Sequence, residues 1–208
     1  HPKSSSIPSC LRMLEISVTC LIKQRYPDSK IVFIGPCLAK KHEASRRSVK
    51  SFVDFVLTFE ELDGMFKARD VNFDEIEDSR PPLRASADAF GFARSGGVAQ
   101  AVVNHVHRLE PEREVKIVKA EGLDECIKMM RKAVKGEYDG YLLEGMACPG
   151  GCIAGAGTLQ PVSRTSVNLN LKMKEMPVKN STDTAFAHML KSLENYPEIT
   201  EIDPFEDM

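Results

Sequence analysis

Two short motifs, about a hundred residues apart and rich in glycine and proline, carry three of the six cysteines of the chain. The first is Ile34-Gly-Pro-Cys-Leu-Ala-Lys-Lys-His-Glu43, with Cys37. The second is Glu144-Gly-Met-Ala-Cys-Pro-Gly-Gly-Cys-Ile-Ala-Gly-Ala-Gly157, with Cys148 and Cys152. Thiolates on loops stripped of bulk by glycine can approach a soft, large metal cluster, and backbone N–H groups beside them can tune its potential. Cys148 and Cys152 stand four apart, which in a helical turn puts both sulfurs on one face. Three thiolates are one short of the set that an iron–sulfur cubane takes.

Other assignments weigh less. Structural zinc prefers a closed set of four Cys/His ligands, commonly as C-x2–4-C pairs. The Cys148/Cys152 pair fits that pattern, but Cys37 has no near partner and His42 would be an improvised fourth ligand. Buried structural cysteines beside a glycine turn are the plainest alternative. Lys40, three residues after Cys37, returns toward the sulfur if the turn is helical, and its ammonium would offset thiolate charge. Elsewhere such a lysine is a solvated side chain.

Glu43 and Glu144 suit either acid–base work or structural hydrogen bonding. Met146 suits either core filling or a soft lining of the pocket. Cys10, Cys20 and Cys126 fall among apolar residues in helical patterns and read as core. His105 and His107, two apart on a helix, diverge, which argues against metal ligation by that pair.

The elements that must position these residues alternate in type. Residues 8–25 carry a rough helical pattern. Lys30–Gly35 is a short β-branched run that stops at Gly35-Pro36, as a buried parallel strand would. Ser51–Thr58 reads as a strand, and Phe59–Asp70 as a helix with Thr58 as N-cap and Glu61 completing a capping box. Asn72–Asp88 is polar, broken by Pro81-Pro82, and reads as a surface loop. A helix opens at Ser95-Gly96-Gly97 and runs to Leu109, with Val98, Ala101, Val102, His105 and Val106 along one side.

Val115–Ala120 is a strand, Asp124–Lys135 a helix with Ile127, Met130 and Val134 inward, and Tyr138–Glu144 a strand leading into the second motif. Beyond Gly157 the chain is less regular. A last amphipathic helix is expected near Thr182–Asn195, within a helical C-terminal extension spanning 161–208. Strands alternating with helices imply an α/β fold with a mostly parallel sheet flanked by helices. Both cysteine motifs then fall at strand C-terminal ends, where open α/β sheets build their sites.

Composition sets bounds. With 208 residues, 42% hydrophobic and 28% charged, the chain can bury a substantial core, and no basic stripe interleaved with aromatics points to nucleic acid. No apolar run reaches the roughly 20 residues that span a bilayer. The start at His1 has neither a secretory apolar stretch nor an initiator Met, so an excised piece of a longer protein is expected. Sparse, clustered cysteines favour metal chemistry in a reducing compartment, with the cytoplasm as the default.

Taken together, the motifs resemble a known family. Gly35-Pro-Cys-x-x-Lys-x-x-Glu43 resembles the second cysteine motif of the [FeFe]-hydrogenase large subunit, and Glu144-x-Met-Ala-Cys-x-x-Gly-Cys152 its third. Phe92-Ala-Arg-Ser-Gly-Gly-Val98 is similar to the intervening Gly-Gly motif. Order and spacing agree from about residue 8 to residue 157.

The resemblance implies one lobe of the iron-hydrogenase catalytic domain, with a core at about residues 8–160. It implies Cys37, Cys148 and Cys152 as ligands of a [4Fe–4S] cluster, with Cys152 bridging to a di-iron subsite. Lys40 would then contact a cyanide on that subsite, and Phe92 and Met146 would line the pocket. The implied reaction is reversible reduction of protons to H2. The implied partners are an electron-carrying protein such as ferredoxin or a fused iron–sulfur domain, and the preceding lobe of the parent protein.

Departures from the family pattern matter as much. The Thr-Ser-Cys-Cys-Pro-like first motif, which supplies the remaining ligand, is absent, so this chain by itself is expected to hold an incomplete cluster or none. Gly35 stands where the pattern carries Met before Pro-Cys. Gly155-Ala-Gly-Thr-Leu159 replaces a Gly-Gly-Gly-Gln-Pro stretch. These changes resemble the divergent, sensory branches, so the alternative is an iron–sulfur redox or H2-sensing module without fast turnover.

Overall fold

Short apolar runs become short parallel strands, three of them ending within three residues of a glycine or proline and one running directly into the Thr58 helix cap. The computed structural model describes residues 25–45, 53–77 and 85–184, together with Thr19, Ile22, Lys23 and Ala187. Strand β1 (Val32–Ile34) pairs in parallel with β2 (Phe55–Leu57), Val32 opposite Phe55. Strand β3 (Ile117–Glu121) pairs in parallel with β4 (Leu142–Met146), Ile117 opposite Leu142. Among the described residues these are two separate two-stranded sheets rather than one continuous sheet. The α/β class and parallel pairing agree with the sequence.

Among the described residues six helices flank them: α1 (Ala39–Ser45), α2 (Phe59–Ala68), α3 (Ala87–Gly91), α4 (Gly97–Leu109), α5 (Leu123–Val134) and α6 (Val162–Glu175). The expected capping box of α2 is present, with Glu61 N–H donating to Thr58 Oγ1 at 3.1 Å and Thr58 N–H to Glu61 Oε2 at 2.9 Å. Acidic Asp124 and Glu125 open α5 and basic Arg131 and Lys132 close it, which matches the helix dipole. Buried Ile31 is tied down by Asp54, which accepts from the Ile31 N–H at 2.8 Å and from Lys30 Nζ at 3.0 Å.

Several expectations change. Strand β4 begins four residues later than expected, because Tyr138–Gly140 turns instead of extending. Helix α3 starts in the last two residues of the expected loop and runs past its end, capped by Ser86, whose hydroxyl accepts from Ala89 N–H at 3.1 Å. Helix α6 forms where the chain reads as less regular. Its Ser-, Thr- and Asn-rich sequence has weak helix propensity, and packing of Met173 on Gly91 of α3 supplies what propensity does not.

The buried stripe of α4 is Gly97, Ala99, Ala101 and Val103, with Val102 exposed. In α5 only Met129 is buried, and Ile127, Met130 and Val134 face outward, a reversal of the expected inward side. Residues 181–183 form a short 3-10 turn. Most of the expected 182–195 and 8–25 helices, and Cys10 and Cys20, lie outside the described residues. No helix among the described residues is long and apolar enough to cross a membrane.

Candidate cofactor-binding site

Each cysteine motif runs off the end of a parallel strand. Cys37 follows β1 and precedes α1, and Cys148 follows β4. The two meet through backbone bonds: Gly157 N–H donates to the Pro36 carbonyl at 2.9 Å, and Gly155 approaches so closely that a Cβ there would lie 2.3 Å from the same oxygen. The third wall is the segment between α3 and α4. Ser95 N–H donates to the Gly150 carbonyl at 3.2 Å, and Ile153 N–H to the Ala93 carbonyl at 3.0 Å. Phe92 enters this wall immediately before Ala93.

The spacing of Cys148 and Cys152 does not come from a helix. Gly150 and Gly151 take φ of +93° and +90°, which breaks any helical turn between them, and a 3-10 turn starts only at Cys152. A Cβ at Gly151 would lie 2.5 Å from Ser95 N. Glycine is therefore required for both the turn and the contact. The sulfurs share a site because a glycine loop folds back on the Phe92–Ser95 wall.

Cys37, Cys148 and Cys152 are all free thiols, partly buried. Burial pushes the Cys152 thiol up, negative charge on Cys37 and on Cys148 pushes it further, and the Lys40 ammonium opposes the rise. These four groups therefore lie within electrostatic reach of one another. Lys40 sits in the first turn of α1 and is held by Glu43, its Nζ 2.7 Å from Glu43 Oε2, with both side chains about four-fifths buried (17% and 20% exposed). The second carboxylate oxygen of Glu43 is buried without a hydrogen-bond partner.

Met146 is buried (4% exposed) at the end of β4. Cys126 sits behind β4, its thiol facing the Ala120 and Met146 carbonyls at 3.6 and 3.7 Å, which suits the core role read from sequence. His42 is exposed on α1. Among the described residues no three His, Cys, Asp or Glu side chains converge as a single metal ion would need, so the improvised zinc set is not assembled.

One carboxylate escapes the motif logic. Glu121, at the end of β3, accepts from the Gly150 N–H at 2.8 Å. The nearby Ser95 hydroxyl, the Gly150 N–H and Lys119 hold its carboxyl below the usual range. Glu144, whose structural or acid–base role is open in the sequence, accepts from the Val98 N–H of α4 at 3.1 Å and is buried. Nothing in the Lys-Ala-Glu121 stretch marks it, since a bond across 29 positions has no local signature.

The iron-only hydrogenase large subunit, C-terminal domain, matches over residues 15–156. The NADP-reducing hydrogenase subunit HndD of Solidesulfovibrio fructosivorans is 28% identical over 84% of this chain and 36% of its own length. A probable cytosolic Fe–S cluster assembly factor of Drosophila mojavensis is 26% identical over 81% of the chain and 47% of its length. A solved variant of the [FeFe]-hydrogenase HydA1 from Chlamydomonas reinhardtii superposes with a TM-score of 0.61 at 19% identity, covering 88% of this chain and 64% of that one. The chain thus spans less than half the length of these two curated relatives. With the matched region covering both cysteine motifs and the wall between them, the chain belongs to the family defined by the C-terminal domain of the iron-only hydrogenase large subunit.

Proposed function

We propose that this chain forms one wall of an [FeFe]-hydrogenase-like domain in which Cys37, Cys148 and Cys152 ligate a [4Fe–4S] cluster. Cys152 would also bridge to a di-iron subsite, with Lys40 facing its anionic ligands and Phe92 and Met146 lining the pocket. One observation carries the reading: backbone bonds join the loops that carry the three free thiols, burial and the charges of Cys37 and Cys148 raise the Cys152 thiol, and the Lys40 ammonium opposes that rise. Mutually repelling thiolates gathered beside a cation are what a cationic iron–sulfur core stabilises and what a packed core of neutral thiols does not need. The close approaches of Gly151 to the Arg94–Ser95 backbone and of Gly155 to the Pro36 carbonyl bring the cysteine loops together.

When bound, the cluster with its di-iron subsite supplies reversible reduction of protons to H2. The chain's own residues hold the thiolates in place, orient Lys40 through Glu43, and shield the site with Met146. A fourth thiolate, an electron-carrying protein and the rest of the parent complete the unit in this reading.

The test is anaerobic reconstitution of the parent protein followed by iron, acid-labile sulfide and visible-absorption measurements. Equal iron and sulfide, lost in Cys37→Ser, Cys148→Ser and Cys152→Ser, is the expected outcome. Iron without sulfide, or absorption indifferent to Cys148→Ser, would overturn the ligand set.

A second reading draws on Gly35. A Cβ at that position would meet the Phe33 ring at 2.8 Å, so the side chain of the family pattern would fit there only if that ring turned aside. Gly35 in place of the pattern's Met, with the likeness to a probable cytosolic Fe–S cluster assembly factor, is what supports a cluster-bearing redox, sensing or cluster-assembly module as the alternative. Hydrogen turnover by the full parent protein decides between them: rapid H2 evolution supports the enzyme, and a loaded cluster without it supports the module.

A further inference from the structure

The face of the β3–β4 sheet turned toward the cysteine loop carries two carboxylates. Lys119 lies opposite Glu144 and Glu121 opposite Met146, and residues two apart on a strand share a face, so all four share it. On the other face Gly145 packs against Cys126 and Met129 of α5.

Glu121 Oε2 accepts from the Gly150 N–H at 2.8 Å. Gly150 is the midpoint between Cys148 and Cys152, and its carbonyl is held in turn by the Ser95 N–H at 3.2 Å. Ser95 leads into α4, whose Val98 N–H is held by Glu144 Oε1 at 3.1 Å. Glu144 is 7% exposed, and its Oε2 is buried with no hydrogen-bond partner. One carboxylate therefore grips the loop at Gly150, and the other grips the helix that supports its far side. Burying a carboxylate on a single hydrogen bond is costly, so the Val98 bond works against a penalty that an apolar residue would avoid.

We propose that Glu121 and Glu144 are a pair of positioning residues that hold the Cys148–Cys152 loop in its thiol-presenting shape before any cluster is bound. The proposal deepens the ligand reading and rests on it. It adds that Glu121 takes the Gly150 N–H for itself and places a negative charge beside the loop, which favours the oxidised form of a cluster there.

The test begins with the metal-free chain, read by amide hydrogen exchange and by alkylation of Cys148 and Cys152. Glu121→Ala is expected to speed exchange at Gly150 about tenfold and leave Val98 unchanged, with Glu121→Gln restoring most of the protection. Glu144→Ala is expected to speed exchange at Val98 and Ser95 and to raise alkylation of both cysteines several-fold. Glu144→Gln, which keeps an acceptor for Val98, is expected to restore Val98. If Glu144→Ala fails to fold, Glu144→Met, which keeps the bulk and removes the acceptor, carries this arm, and unchanged Val98 exchange in it would overturn the role assigned to Oε1.

After reconstitution, Glu121→Gln is expected to raise the cluster's reduction potential with iron content unchanged, a readout that a purely structural contact would not move. Gly150 exchange unaltered in Glu121→Ala, or an unaltered potential in Glu121→Gln, would overturn the proposal. Iron analysis of the wild-type parent protein judges the ligand reading separately. A parent protein that takes up no iron, with this exchange pattern in the metal-free chain, would sink that reading and leave the carboxylate pair standing.

Discussion

Gly157 donates its N–H to the Pro36 carbonyl at 2.9 Å and accepts from the Glu60 N–H at 3.3 Å, so one residue joins both cysteine motifs to the start of α2. A Cβ there would stand 2.6 Å from Thr58 Cβ. Gly157→Ala is therefore expected to push the motifs apart, to cost about 1–3 kcal/mol as an overpacked site, and to lower cluster loading. Gly64→Ala is the control. Gly64 sits in the middle of α2 with nothing within 4 Å of where a Cβ would stand, and alanine there should stabilise by about 0.5–1 kcal/mol. Urea midpoints of the two variants should move in opposite directions.

The capping box of α2 makes a pH prediction. The Lys41 ammonium and the Thr58 N–H hold the Glu61 carboxyl below its usual value. A lowered carboxyl stabilises the fold above its unfolded pKa of about 4, and that stability is lost as pH falls through the lower folded value. Acid unfolding of Glu61→Gln should be shallower below about pH 4 than that of the wild type. Identical acid profiles would show that the Lys41 pair contributes nothing.

Thr58→Ala tests the same cap from its other end. Thr58 is 2% exposed and its hydroxyl accepts from Glu61 N–H, so truncation should cost about 1 kcal/mol at neutral pH. Denaturant unfolding measures it, and the loss should persist at pH values where Glu61 is protonated, since the hydroxyl bond does not titrate.

Cys152 reports convergence of the site in the metal-free chain. Burial and the charges of Cys37 and Cys148 raise its thiol, so thiolate forms only above the ordinary value of about 8.5, and stability falls as pH rises through that range. Its alkylation midpoint should therefore lie above about pH 8.5, fall in Cys37→Ser and rise in Lys40→Met. A common midpoint in all three proteins would show that these groups do not meet.

The residues of the site were legible in the sequence because their chemistry is local. Cys37, Cys148 and Cys152 announce themselves by glycine and proline neighbours, and Thr58 and Glu61 form their box within one turn. Strand ends were legible too, since Gly35-Pro36 terminates β1 by removing a donor and fixing the backbone. Three things depended on tertiary contact. The shape between Cys148 and Cys152 is a glycine loop instead of a helix because Gly151 must lie against Ser95, a neighbour 56 positions away in the sequence.

The outward apolar side of α5 is a matter of which helix face the sheet meets, and periodicity gives a stripe without saying what covers it. Glu121 acquires its partner only when β3 and β4 pair in register beside the loop. Sequence by itself determined which atoms can do chemistry and where strands stop, because propensity, turn geometry and ligand type act over a few residues. Tertiary structure decided which of those atoms meet, because close approach and shared charge are properties of segments brought together from far apart in the chain.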